Sequence, residues 1–258
     1  MQHSVTHNDH TLELPEIRQV AVTRPFKWLA QGWRDFRHSP FASGFYGLVF
    51  VLLGYALTAA TWSSPLLVMT FVTGFLLVAP FFALGLYDLS RQREQNGRHN
   101  FRHSLLAFRH NKFDMGLLIV FHALVMIAWI RMSALIGGLY FSRTGGTDVV
   151  TALQNLITSG EGFALFGLLL VSGGVLAALV FVSAAVSWPM VLDRNTGVIN
   201  AMATSIKAVG QNKAAMLVWG ALIVALIALG IATLYIGLLF IIPILGHATW
   251  HAYRDLVH

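Results

Sequence analysis

Three histidines stand where water is scarce. His122 and His247 each fall inside a long apolar stretch, and His251 follows His247 one helical turn later on the same face. An ionisable group at membrane depth is costly, which makes it a functional candidate by default. At 1.5 Å per residue, His122 lies roughly 12 Å below the start of its stretch, and His247 reaches a similar depth on a returning one. Neutral imidazoles from two helices at one depth suit a haem iron, another metal, a quinone or a proton path. The plainer reading is that they hydrogen-bond between helices. His122, His247 and His251 are the cofactor-binding candidates; no cofactor is predicted, haem being the one they could hold.

Other chemistry is poorly supplied. No two carboxylates share a span, and there is no phosphate-binding glycine loop, zinc-protease helix or G-x-S-x-G elbow. The chain contains no cysteine, so disulfides, thiolate metal sites and thiol nucleophiles are excluded. No catalytic residue and no metal site is assigned.

Cations form the second set of candidates. Lys27, Arg34 and Arg37, then Arg102, Arg109 and Lys112, then Lys207 and Lys213 each lie just before a long apolar stretch. In the first group Thr23 is placed to cap a helix, with Pro25 in its first turn and Phe26, Leu29, Trp33 and Phe36 at helical spacing. Phe101, Leu105 and Phe108 form the stripe of the second group, and Val198, Met202, Ile206 and Val209 that of the third. Such collars read as helices lying in the membrane interface, offering cations to anionic headgroups at about 1 kcal/mol per basic residue. The simpler alternative is topological: the charges orient the protein and the helices seal its rim.

The elements that must carry these groups are membrane helices. The chain is 56% hydrophobic and 11% charged, against roughly 25% charged residues in soluble domains. Apolar stretches run over Phe41–Ala60, Pro65–Tyr87, Asp114–Leu135, Gly162–Ser187, Ala214–Leu229 and Ala232–Trp250, the last two divided near Gly230. A bilayer core needs about 20 apolar residues as helix. The stretches lack the alternation of a barrel strand. The N-terminal region lacks the apolar core and cleavage site of a signal peptide.

The order of these elements repeats. Phe36-Arg37-His38-Ser39-Pro40-Phe41 reads almost as Phe108-Arg109-His110-Asn111-Lys112-Phe113, while Ser104, Ala107, Asn111, Lys112 and Met115 recur as Ser205, Ala208, Asn212, Lys213 and Met216. A proline near the end of each second stretch (Pro80, Pro189, Pro243) precedes an aspartate (Asp88, Asp193, Asp255). The expected fold is therefore an all-α membrane protein of six transmembrane helices. They form three repeated hairpins, each preceded by a basic amphipathic interfacial helix. The units cover about 23–90, 98–194 and 197–258 within a single domain of 23–258. Residues 1–22, with His3, His7 and His10, read as a polar, mobile tail.

Smaller features complete the expectation. The prolines should kink or pack their helices, and Gly44, Gly47, Gly173 and Gly174 should allow close helix approach. Trp28, Trp33, Trp62, Trp129, Trp188 and Trp250 read as interfacial anchors, and Arg131 as a snorkelling cation. The long connection from about Tyr140 to Glu161 offers Thr147-Asp148 as the cap of a short helix. Only Arg131 and Arg143 fall on the side away from the collars, so both termini should be cytoplasmic.

The ending Pro243-Ile-Leu-Gly-His247-Ala-Thr-Trp250-His251-Ala-Tyr253-Arg254-Asp255-Leu256 and the run Trp188-Pro189-Met-Val-Leu-Asp193 resemble motifs of the DUF2189 family (domain of unknown function 2189) of bacterial predicted integral membrane proteins. The similarity extends from about Val22. It implies a protein of the bacterial inner membrane with no established activity.

Together these readings favour a non-enzymatic protein that binds membrane lipids or partner membrane proteins through a basic cytoplasmic face, without nucleic acid. Two alternatives stay open: a haem- or quinone-binding accessory of a respiratory complex, and a small-solute transporter.

Overall fold

Helices begin where a residue lacks an N–H or where a side chain accepts one. Pro25 lies in the first turn of α1 (Arg24–His38), and Pro40 and Pro65 open α2 (Pro40–Thr61) and α3 (Pro65–Phe82). Ser64 caps α3 through its hydroxyl, as Asn100 caps α5 (Phe101–Ser104) and Ser159 caps α7 (Gly160–Ala184). Thr23 occupies the cap position of α1 but makes no capping bond. Gly97, at φ 65°, closes α4 (Leu84–Asn96) by donating to the Arg93 carbonyl. A 3₁₀ turn (Ala107–Arg109) leads to α6 (Lys112–Thr144), and α8 (Ser187–Asp193), α9 (Val198–Gln211), α10 (Lys213–Ala232) and α11 (Leu238–Leu256) complete the order. The computed structural model describes residues 14–97, 100–144, 151, 154 and 158–258. Among these there is no strand, only an isolated bridge between Ile17 and Val257.

Four helical stretches among the described residues are long and apolar enough to cross a membrane: Pro40–Thr61, Lys112–Leu139, Gly160–Asp193 and Lys213–Ala232. The stretches expected as second and sixth spans are not among them. In the first, the apolar α3 of 18 residues ends at Phe82 and the chain turns at Ala83 into α4. The other begins only at Leu238, and its later turns, with His247 and Trp250, are buried inside the protein. The division expected near Gly230 falls at 233–237 instead. There Thr233 donates its hydroxyl to the Gly230 carbonyl and accepts from the Gly237 N–H, both at 2.9 Å, while Leu234 and Tyr235 take positive φ. Gly230 matters for packing: a Cβ there would overlap Leu238.

Helix α11 packs against α1, α2, α4 and α10, while α3, α6 and α7 form a second group joined to it through α2. One hydrophobic core runs through both. The prolines act differently in each place. Two residues after Pro80, α3 ends and the chain turns into α4. Pro189 lies in the first turns of α8, just past a break between α7 and α8. Pro243 sits inside an unbroken α11.

Several expectations change once the chain is folded. The tail expected to be mobile over 1–22 is docked where it is described. Ile17 is buried, Arg18 N–H donates to the Leu256 carbonyl at 2.9 Å, and His258 N–H donates to the Glu16 carbonyl at 3.2 Å. His3, His7, His10 and the Thr147-Asp148 cap lie outside the described residues. Of the expected tryptophan anchors, only Trp33 and Trp62 are exposed; Trp28, Trp129, Trp188 and Trp250 are buried. Each buried indole N–H has found an acceptor, which is what makes its burial affordable. Gly47 and Gly173 meet close neighbours, whereas Gly44 and Gly174 face open space.

Candidate functional site

The collars dock through small and polar residues together with Trp28, Phe36 and part of their apolar stripes. Helix α1 buries Pro25, Trp28, Gly32, Asp35 and Phe36, and α9 buries Ala201, Thr204, Ser205 and Ala208. The expected second collar is broken into α5 and a 3₁₀ turn, and it buries Ser104 and Ala107. Phe26, Trp33, Leu105, Phe108 and Ile206 are left exposed. Phe41 and Phe113, at matching places in the first two junctions, are 93% and 76% exposed. Small residues let a collar lie close on its neighbour, as at Gly32, where a Cβ would overlap the Ile244 carbonyl.

The cations divide into two classes. Arg24 holds Asp255 through two bonds of 2.5 and 2.8 Å, and Trp28 Nε1 donates to the same carboxylate at 2.8 Å. Arg93 binds Asp35, Arg91 lies 3.4 Å from Asp193, and Arg254 bonds Glu94 at 3.0 Å. Lys207, which sequence placed among the lipid-binding candidates, donates to the Pro15 carbonyl at 3.3 Å and is half-buried. The other seven candidates (Lys27, Arg34, Arg37, Arg102, Arg109, Lys112, Lys213) are exposed. None forms a hydrogen bond or ion pair with a described residue. Arg109 lies over the Phe108 ring at 5.9 Å. Arg131 is likewise exposed.

The histidines are placed apart in their partnerships. His122 Nδ1 bonds the Leu118 carbonyl one turn back at 2.8 Å, and its Nε2 accepts from Trp188 Nε1 at 3.4 Å. His247 is fully buried between two serines: Ser43 Oγ at 2.9 Å from Nε2 and Ser90 Oγ at 2.7 Å from Nδ1. Ser90 donates onward to Asp35 at 2.6 Å, and His251 Nε2 meets the same carboxylate oxygen at 2.9 Å. Thus His247 and His251 share one polar cluster with α1, α2 and α4, and His122 belongs to another neighbourhood. Both ring nitrogens of His122 and of His247 are engaged by the protein. Ligation of an iron by either would have to break one of those bonds. Among the described residues no three His, Asp or Glu are grouped to hold a metal ion.

The hydrogen-bond direction in this cluster follows from Asp35. Burial pushes its carboxyl up, but bonds from His251 and Ser90 outweigh that and hold it below its ordinary range. As an anion it accepts from Ser90, so Ser90 must accept from His247 Nδ1–H. That leaves Nε2 to accept from Ser43. Sequence reasoning did not single out Asp35, Ser43, Ser90 or Arg93. A signal existed for two of them. Counted along the matched junctions, Asp35 stands where the others carry Ala107 and Ala208, and Ser43 where they carry Met115 and Met216. All six are buried.

The repeated aspartates anchor neighbouring elements in three ways. Asp255 pins α1, Asp88 accepts from Gln92 at 2.5 Å and pairs with His103 of α5 at 2.7 Å, and Asp193 accepts from the Tyr253 hydroxyl at 2.8 Å. Asp255 is also held below its ordinary range; burial raises it, and the bonds from Arg24 and Trp28 prevail.

No curated protein and no solved structure matches the chain. A family model does match, over residues 67–193, described as a predicted integral membrane protein. The matched stretch begins well after Val22; it includes the Trp188–Asp193 run and stops before the Pro243–Leu256 ending. Residues 67–193 of this helical chain, which has four candidate spans among its described residues, match the model of the DUF2189 family of predicted integral membrane proteins.

Proposed function

We propose that this integral membrane protein is non-enzymatic and gathers anionic lipids, or partner membrane proteins, on a basic cytoplasmic face of a bacterial inner membrane. The observation that carries the reading is the division of the cations. Seven collar cations stand exposed without acidic partners among the described residues, beside exposed Phe26, Trp33, Leu105, Phe108 and Phe113. Cations next to large apolar side chains suit the boundary between headgroups and acyl chains.

The topology that goes with this reading has six spans in three hairpins, each with an interfacial collar, and both termini in the cytoplasm. The Ile17–Val257 bridge supports an even number of crossings, because it holds the two ends of the described chain together. Two docking contacts support the repeat. Ser205 of α9 donates to the Val182 carbonyl and accepts from Val186 N–H, while Gly32 of α1 lies on the Ile244 carbonyl and the Ala248 nitrogen. Val182 and Val186 stand as far before Asp193 as Ile244 and Ala248 stand before Asp255.

The test is lipid retention by the purified protein. Phosphatidylglycerol is expected to remain bound through exchange into neutral detergent and to raise the melting temperature above that in phosphatidylcholine. Removing the seven exposed charges should abolish both effects. Indifference of the wild type to the two lipids would sink the reading. Because the chain is cysteine-free, single cysteines at Ser63 and Ile236 report topology cleanly. Both should react with an impermeant maleimide from the outer side, and one at His258 only after permeabilisation.

A further inference from the structure

The segment from Arg18 to Ala21 crosses the end of α11 and turns at Val22–Thr23 into α1. Asn212 holds it there, accepting from Val20 N–H at 2.8 Å and donating to the Arg18 carbonyl at 3.1 Å. Between this segment, the first turn of α1 and Asp255 lies an open cleft of about 190 Å³. Arg18, Thr23, Arg24 and Lys27 line it, and Asp255 is the one acid among its lining residues.

The charge in this cleft does not balance. Both oxygens of Asp255 are taken by Arg24, with Trp28 sharing one of them. Arg18 approaches the same carboxylate only at 3.5 Å, too long for a strong bond. Lys27 has no acidic partner among the described residues. Two positive charges are therefore in surplus around one concavity. The Thr23 hydroxyl, idle as a helix cap, adds a neutral donor, and the N-terminal end of the α1 dipole has the same sign. Two cations and a hydroxyl around a small open space match the oxygens of a phosphate group. Val22 and Phe26, exposed on either side of Thr23 in the chain, offer the apolar border that a lipid brings with it and a free ion does not.

We propose that this cleft is a phosphate site that takes the headgroup of one anionic phospholipid. It rests on the reading of the basic face as lipid-binding and narrows that reading to one location. Asp255 organises the site without repelling the ligand, because Arg24 neutralises it. The site joins the N-terminal segment to the C-terminal helix, so an occupied headgroup would bind both ends of the chain together.

Native mass spectrometry of the protein in neutral detergent, titrated with phosphatidylglycerol, tests the proposal. Arg18→Gln with Lys27→Gln should weaken the first lipid about thirtyfold, at about fivefold per cation, and Lys27→Gln alone about fivefold. Arg109→Gln with Lys112→Gln removes equal charge outside the cleft and should leave that first lipid in place. Equal losses from the two double variants would overturn the site and leave the broader collar reading standing. Wild-type indifference between phosphatidylglycerol and phosphatidylcholine would overturn both. Inorganic phosphate provides the other arm. If millimolar phosphate raises the melting temperature of the wild type but not of the cleft variant, and phosphatidylglycerol does neither, the ligand is a soluble phosphate and the lipid assignment falls. Lys27 touches no described polar partner, so its single variant should keep the wild-type melting temperature and keep the test readable.

Discussion

Gly47 of α2 lies against the carbonyl oxygen of Leu239, the acceptor that Pro243 leaves without its helical donor. A proline inside a membrane-buried helix frees a polar group, and here a neighbouring backbone closes over it. A Cβ on Gly47 would overlap that oxygen, while one on Gly44 would meet nothing within 4 Å. Gly47→Ala should therefore destabilise the fold by about 1–3 kcal/mol, and Gly44→Ala by less than about 0.5. Thermal unfolding of both variants in one detergent checks the difference. Equal melting temperatures would show that α2 and α11 can move apart freely.

Ser205 bridges the break between α7 and α8. Its hydroxyl donates to the Val182 carbonyl at 2.7 Å and accepts from Val186 N–H at 3.2 Å, the pair that an unbroken helix would join directly. Ser205→Ala should leave that buried N–H unsatisfied and cost about 1–3 kcal/mol. Hydrogen exchange should accelerate at Val186 before it does at distant helices. A variant with unchanged exchange there would show that the break closes into regular helix without the serine.

Acid should loosen first the end where α1 meets α11. Asp35 and Asp255 each have a folded pKa below the ordinary 3.8. As pH falls, the unfolded chain binds the protons first, so the stabilisation is complete above about pH 4. It is lost as pH drops through the depressed folded values. A melting-temperature series from pH 6 to pH 3 should show this acid limb, and Asp255→Asn should flatten it. An Asp255→Asn limb as steep as that of the wild type would remove Asp255 from the explanation.

The histidines make a spectroscopic prediction. With both ring nitrogens of His122 and His247 bonded within the protein, a preparation from haem-replete cells is expected to show no Soret band. A near-stoichiometric band lost in His247→Ala would make this a redox protein. His247→Ala should also destabilise the colourless protein, because Ser43 and Ser90 would each lose a buried partner, at about 1–3 kcal/mol apiece.

How legible was the site? The exposed cations were readable, because a basic residue next to a long apolar stretch has few places to go but the interface. Lys207 shows the limit: only the fold brings the Pro15 carbonyl to it. The burial of Trp28 and Trp250 was not readable. Whether an indole lies at a headgroup or in a core depends on an acceptor, here Asp255 and Glu94, far away in sequence. Which stripe residues are buried was not readable for a related reason: Phe36 packs inside while Phe26 and Trp33 stay exposed, and small residues such as Gly32 mark the helix contact.

The sequence by itself determined that the chain is helical and belongs in a membrane, since long continuous apolar runs allow no other way to satisfy the backbone. It determined the positions of several helix starts, because proline acts locally through its missing N–H. Its repeated junctions also marked which positions would share an environment: Ala107 and Ala208, or Met115 and Met216, are all buried. Only the tertiary structure decided what the unmatched members of that pattern do. Asp35 and Ser43 meet His247, His251, Ser90 and Arg93 across four helices. A hydrogen bond forms at about 3 Å regardless of separation along the chain, and sequence spacing carries no record of that distance.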